Sequence, residues 1–83
     1  MYVHIGGDIN VPVKTIEAII NLDTVLPGQR KITDFINSED DNNRLEYLND
    51  EIPRSLVVAS DRSYLSSLSV SVLKRRMEEN MMI

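Results

Sequence analysis

The sequence lacks cysteine and contains a single histidine, His4. Without cysteine the chain has neither disulfides nor thiolate metal ligands, so packing and association must supply its stability. A lone histidine has no second histidine with which to share a metal, and no nucleophile with an orienting group accompanies it, so we assign His4 a structural or surface role. We therefore predict no catalytic, cofactor-binding or metal-binding residues, and we expect that the protein is not an enzyme.

Long apolar runs and an excess of cations are also missing. The longest apolar stretch is far shorter than the roughly 18 residues of a membrane span, and no basic leader with a following apolar segment opens the chain. We predict a cytoplasmic protein with no membrane partner and no small-molecule substrate.

Thirteen acidic and nine basic residues give a net charge of −4. Nucleic-acid binding would therefore need segregated charges or an assembled surface.

The chain is short for a protein without disulfide cross-links. Its 83 residues predict a single domain over 1–83, near the size at which one hydrophobic core is only marginally sufficient. Association buries further apolar surface, so we predict a homo-oligomer. The apolar residues at 81–83 favour the same outcome, because they end so small a chain.

The N-terminal residues predict a β-hairpin. Segments 2–5 and 9–13 have strand character and flank Gly6 and Gly7, which supply the positive φ that tight hairpin turns require. Pro12 cannot donate a ladder hydrogen bond. The second strand is therefore expected at a sheet edge or at a bulge.

The following segment, 14–23, fits two structures. Three isoleucines have helical spacing, whereas the apolar residues from Ala18 onward alternate as in a strand. Isoleucine favours the strand, so we predict one helical turn at 13–17 and a strand at 18–22.

The middle of the chain predicts one short helix. Segment 24–28 interrupts the pattern, and Pro27 suits the first turn of a helix. Residues 29–38 form an amphipathic helix, with an apolar stripe made of Ile32, Phe35 and Ile36. The polar segment 38–43 is expected to be a solvated loop, since it lacks the glycine and the ligand spacing of a calcium-binding loop.

The C-terminal half predicts strands and a final helix. A short strand at 45–48 precedes a central strand at 56–59, a turn at 60–63 and a strand at 64–68. Ser69 or Ser71 caps the helix, whose apolar stripe contains Val70, Leu73, Met77 and Met81. The predicted fold class is α+β, a small mixed or antiparallel sheet with one mid-chain helix and a C-terminal helix.

The densest basic run, Lys74, Arg75 and Arg76, lies on this last helix. Glu78 and Glu79 follow Lys74 and Arg75 at four-residue spacing, so ion pairs are expected to offset part of the charge. Two interpretations stay open: a solvated helix face and a surface that contacts phosphates.

Two segments of the chain resemble a known family. The opening MYVHIGGDINVPVKTIEAIINLD and the closing PRSLVVASDRSYLSSLSVSVLKRR are similar to the RemA/RemB family of extracellular matrix regulators, RemB-type members in particular. The likeness covers residues 1–23 and 53–76. Its most specific parts are M-Y-V-H-I-G with Asp8 and the serine series that ends in L-K-R-R.

The resemblance implies a small bacterial DNA-associated regulator of matrix and biofilm genes. RemA proteins assemble into rings and bind double-stranded DNA through arginines repeated around the assembly. The matching contacts fall at Lys14, or its neighbour Thr15, and at Arg54. Where RemA relatives carry further arginines before the central strand, this chain has an acidic segment, 50–53.

Two hypotheses follow from these observations. The first is an oligomeric DNA-binding regulator whose phosphate contacts are Lys14, Arg54, Arg62, Lys74, Arg75 and Arg76. The second is a non-enzymatic oligomeric scaffold that binds another protein, in which these cations only balance neighbouring acids.

Overall fold

A computed structural model of the chain describes residues 1–24 and 30–81, with the main chain alone at positions 80 and 81. The predictions for Pro27 and for the apolar side chains at 81–83 lie outside the described part. Along the described chain the elements are β1 (Tyr2–Gly6), β2 (Ile9–Pro12), a 3-10 turn (Val13–Thr15), β3 (Ile16–Asn21), α1 (Arg30–Asp41), β4 (Leu45–Tyr47), β5 (Ser55–Ala59), β6 (Ser63–Ser66) and α2 (Val70–Met81).

β1 and β2 form the predicted hairpin. They pair antiparallel from Tyr2 opposite Pro12 down to the turn, with an irregular register between His4 and Gly6. Gly6 and Gly7 have φ of +132° and +54°, values that L side chains rarely adopt. Pro12 ends β2 in a sheet of two strands, so its missing N–H interrupts no central ladder.

The other four strands form a mixed sheet in the order β3-β5-β6-β4. The β3–β5 and β5–β6 pairs are antiparallel, and β4 runs parallel to β6. The prediction that β5 is a central strand is confirmed, as is the α+β class. β3 begins two residues earlier than predicted, because a register shift between Ile16 and Ala18 lets Ile16 pair with Ala59.

One face of the mixed sheet packs against the hairpin and α2. Val57 pairs with Ile19 on one side and with Tyr64 on the other, so the three side chains share that face. The buried core of this face is completed by Val3, Ile5, Val11, Ala59 and Leu73.

Buried serines join the hairpin to the sheet. Ser66 Oγ donates to the carbonyl of Ile5 at 2.6 Å and accepts the N–H of Leu68 at 3.1 Å. Ser55 Oγ donates to the carbonyl of Leu68 at 2.8 Å. These bonds turn the chain out of the sheet after Ser66, so the prediction that the strand continues to Leu68 is wrong.

α1 extends through most of the segment that was predicted to be a loop. The helix ends at Asp41, and Asn43 follows with φ of +58°. The Arg44 N–H bonds to the Glu39 carbonyl at 2.8 Å, and the Asn43 N–H bonds to the carbonyl three residues earlier at 3.1 Å. This is a Schellman ending with asparagine in the left-handed position. The loop prediction for 38–43 is therefore wrong over its first four residues.

The end of α1 is fixed to the sheet through a buried carboxylate. Glu39 is 7% exposed. Its Oε1 accepts Ser63 Oγ–H at 2.7 Å, and its Oε2 accepts Arg44 Nε–H at 2.9 Å. Ser63 pairs with Val58 and therefore lies on the face opposite Val57, the face on which α1 packs.

Ser69 caps α2, as predicted. The N–H of Val72 donates to Ser69 Oγ at 3.2 Å, which satisfies one of the open donors of the first turn.

We expect Ser69→Ala to lower the free energy of unfolding by about 1 kcal/mol, because an unpaired donor at a helix start costs about that much. Urea denaturation followed by circular dichroism measures the change. Ser71→Ala is the matched control, since Ser71 is exposed within the helix and makes no cap bond in the described part of the chain. Equal losses for the two variants would contradict the assignment.

Candidate nucleic-acid interface

Three of the six predicted phosphate contacts lie at the ends of the mixed sheet, and the other three lie on α2. Lys14 precedes Thr15, whose carbonyl accepts the N–H of Ser60 at 2.9 Å. Arg62 lies close by, just before β6, and its carbonyl accepts the N–H of Ala59 at 2.9 Å. We call this the Ser60 end. Arg54 precedes β5 at the opposite end, which we call the Arg54 end. Since β5 separates them, Lys14 and Arg54 do not converge on one site within a protomer.

Two of the predicted contacts are paired with acids. Arg54 Nη2 lies 3.0 Å from Asp23 Oδ2, and both side chains are about half exposed. Arg62 pairs with Glu46 through Nη1, and its Nε lies 3.7 Å from Asp61 Oδ2. Exposed pairs of this kind contribute only about 0–1 kcal/mol, so a phosphate can replace the carboxylate at small cost.

The basic run on α2 begins with two solvent-exposed side chains. Lys74 and Arg75 are exposed, and within the described residues no carboxylate lies within ion-pair distance of either. The expected pairs with Glu78 and Glu79 do not form. Lys74 and Arg75 therefore place two neighbouring positive charges in solvent.

Arg76 is directed toward the hairpin instead. Its Nη1 donates to the carbonyl of His4 at 3.0 Å and lies 2.9 Å from His4 Nδ1. The other ring nitrogen of His4 lies 2.7 Å from the carbonyl of Gly7. Because a carbonyl only accepts, Nε2 carries the proton and Nδ1 accepts from the guanidinium. His4 and Arg76 thus connect β1 with α2.

The acids near Arg62 also act on a buried phenol. Burial raises the pKa of Tyr64 above its usual range, and the carboxylates of Asp61 and Glu46 raise it further, while Arg62 lowers it. The phenol therefore stays neutral at physiological pH. It serves the core and supplies no charge to the Ser60 end.

The acidic segment before β5 forms an ordered loop at the Arg54 end. We call residues 49–53 the acidic loop. Asn49 Oδ1 accepts the N–H of Glu51 at 3.1 Å, and Asn49 Nδ2 donates to Ser67 Oγ at 2.8 Å. Asp50 and Glu51 are exposed. Ile52 beside them is 85% exposed, far more than a large apolar residue usually is.

A shallow depression of about 560 Å³ lies at the open end of the hairpin. We call it the hairpin depression; its lining residues are Met1, Tyr2, Pro12, Val13 and Lys14. Met1 and Tyr2 are 64% and 63% exposed. The depression therefore combines apolar walls with the ammonium group of Lys14, at the Ser60 end of the protomer.

Within 1–24 and 30–81, no three His, Asp or Glu side chains are grouped as metal ligands would be. The helices found in the same ranges are too short or too polar to cross a membrane.

Sequence reasoning located the basic residues but not the carboxylates that hold them. Asp23 pairs with Arg54 across 31 positions, and no local pattern connects the two. Local polarity predicts a solvated loop at Glu39, although this residue continues the stripe of Ile32 and Ile36 at helical spacing. That spacing was the signal that could have revealed its burial.

Comparison with known proteins identifies the family. No curated protein matches the chain significantly. The sequence model of the RemA-like family, described as extracellular matrix regulatory protein A-like, matches residues 2–77. That match spans the hairpin, the mixed sheet and most of α2. The chain therefore belongs to the RemA-like family of extracellular matrix regulatory proteins.

Proposed function

We propose that the protein is a cytoplasmic, non-enzymatic regulator of extracellular matrix genes that binds double-stranded DNA as a homo-oligomer. The observation that carries the proposal is the pair of exposed cations on α2, Lys74 and Arg75, on a chain that matches the RemA-like family over 2–77. Phosphate binding is driven by clustered lysine and arginine side chains.

Assembly is needed because a single protomer is acidic. With a net charge of −4, one copy offers only a small local region of positive charge. Repeating Lys74 and Arg75 in each subunit multiplies weak phosphate contacts, since every contact after the first is made at high effective concentration. Arg54 and Arg62 add to this surface when DNA replaces their carboxylate partners.

DNA binding is tested by removing the two cations of α2. We expect Lys74→Gln combined with Arg75→Gln to weaken binding of a random 30-base-pair duplex by about tenfold near 50 mM salt. The slope of log affinity against log salt should also fall, by about one for each lost phosphate contact. Fluorescence anisotropy of a labelled duplex measures both quantities.

The matched control removes the same charge elsewhere. Arg30 and Lys31 are also adjacent, exposed and helical. Arg30→Gln with Lys31→Gln changes the net charge equally and should leave binding within about threefold of the parent. Equal losses in both double variants would mean that net charge alone attracts DNA. A parent protein that does not bind DNA near 50 mM salt would overturn the proposal.

A protein-binding scaffold is the second candidate, and the acidic loop favours it. Asp50 and Glu51 occupy the place of the family's arginines, and Arg54 and Arg62 are already paired with acids. In that case the solution mass, measured by light scattering with and without duplex DNA, would exceed that of a monomer yet not change when DNA is added.

A further inference from the structure

We propose that the acidic loop of one protomer docks into the hairpin depression of a second copy. Ile52 fills the apolar part of the depression, and Glu51 pairs with Lys14 at its rim. This inference rests on the assembly in the proposed function and names the two surfaces that would form it.

The acidic loop is exposed and conformationally restricted, as expected of a segment that docks into another subunit. Ile52 is 85% exposed, which leaves nearly its whole side chain in water. The Asn49 side chain donates to Ser67 Oγ, just after β6, and accepts the N–H of Glu51 within the loop itself. Pro53 restricts Ile52 to an extended conformation. A held loop loses little conformational freedom on docking, so its apolar contact contributes more to association.

The hairpin depression has the complementary properties. Its volume of about 560 Å³ exceeds that of one isoleucine side chain, and the residues around it are apolar except for Lys14. Lys14 is exposed and forms no ion pair with a described residue. An apolar side chain flanked by carboxylates matches this surface in both shape and charge.

The two surfaces cannot meet within one protomer. The acidic loop leads into Arg54 at one end of β5, whereas the hairpin depression is tied through Thr15 to Ser60 at the other end. The five residues of β5 separate Arg54 from Ser60, so six residue steps of about 3.3 Å place these positions roughly 20 Å apart. A contact between unlike surfaces of identical chains is heterologous and repeats from copy to copy, closing into a ring when the rotation allows.

In the docked assembly, Lys14 contacts the neighbouring subunit and does not contact DNA directly. When paired with Glu51 of the next copy, it acts on DNA through the assembly and leaves the direct phosphate contacts to the cations of α2 and to Arg54 and Arg62. Lys14→Glu should therefore lower the solution mass, an effect that loss of a phosphate contact would not produce.

A charge exchange tests the pairing by sedimentation velocity over about 1–100 μM protein without DNA. Lys14→Glu and Glu51→Lys should each weaken association at least tenfold, and the double variant should return to within about threefold of the parent. Ile52→Ser should weaken association to a similar degree and still give a folded protomer by circular dichroism, because Ile52 lies outside the core.

The control variant combines Glu51→Lys with Lys31→Glu, which restores the net charge at an exposed site of α1. It should not restore association. Recovery by Lys31→Glu, or association unaffected by Ile52→Ser, would overturn the docking surfaces while the DNA-binding assay still supports the proposed function. A parent protein that stays monomeric at 100 μM would overturn the assembly itself.

Discussion

Replacing Gly7 with alanine lowers the free energy of unfolding by about 2–4 kcal/mol, because left-handed strain and a steric overlap act together. Gly7 has φ of +54°, and a Cβ at this position would lie 2.6 Å from the carbonyl oxygen of Leu48. That oxygen belongs to the backbone after β4, so no side-chain rotation relieves the overlap. The hairpin and the mixed sheet would have to separate.

Urea denaturation of the purified variant measures the loss. Gly7→Asn separates the two causes, since asparagine tolerates the left-handed region but keeps the Cβ, so most of the steric loss should persist. Asp8→Ala is the control in the same turn, where the side chain is exposed, and it should change stability by less than about 0.5 kcal/mol. A Gly7→Ala variant as stable as Asp8→Ala would refute the close approach.

The elements that the sequence predicts correctly are specified by residues that lie close together in the chain. Two adjacent glycines between strand-like segments specify the hairpin, and the apolar residues of β5 specify a strand buried on both faces. Ser69 precedes an apolar stripe at helical spacing, which predicts a cap and a helix start. In each case the residues that decide the structure are neighbours in sequence.

The errors arise where distant contacts decide the structure. β6 stops at Ser66 because that side chain bonds to Ile5, 61 positions away. The C-terminal turn of α1 forms because Glu39 meets Ser63 across 24 positions. A window of ten residues contains neither partner, so local polarity indicated a loop at 38–41 and alternation indicated a longer strand.

For the candidate site, too, the sequence identifies the residues, whereas their relative positions depend on the fold. The sequence alone identifies every basic residue and the acidic segment that precedes Arg54. The separation of Lys14 from Arg54 required the strand order, since both positions adjoin strands of one sheet and only the antiparallel pairing of β3 with β5 places them at opposite ends. That separation is what makes a contact between copies the natural way to bring the acidic loop and Lys14 together.

Glu39→Ala should lower the free energy of unfolding by about 2–3 kcal/mol, since it leaves buried polar groups without their acceptor. Ser63 is 0% exposed and donates to Glu39, so in the variant its hydroxyl loses its partner. Arg44 loses its carboxylate as well, but its side chain is 42% exposed and regains solvent, which keeps the loss below that of a fully buried pair.

Asp40→Ala is the matched control, because Asp40 is the next residue of α1 and is exposed. Asp40→Ala gains a few tenths of a kcal/mol more helix propensity than Glu39→Ala, which is small beside the expected difference between their unfolding free energies, so that difference reports the buried contacts. Glu39→Gln should lose less than Glu39→Ala, since its amide oxygen still accepts from Ser63. A double-mutant cycle with Ser63→Ala should give a coupling of about 1 kcal/mol. Additive losses in that cycle would mean that α1 is held to the sheet by its apolar stripe alone.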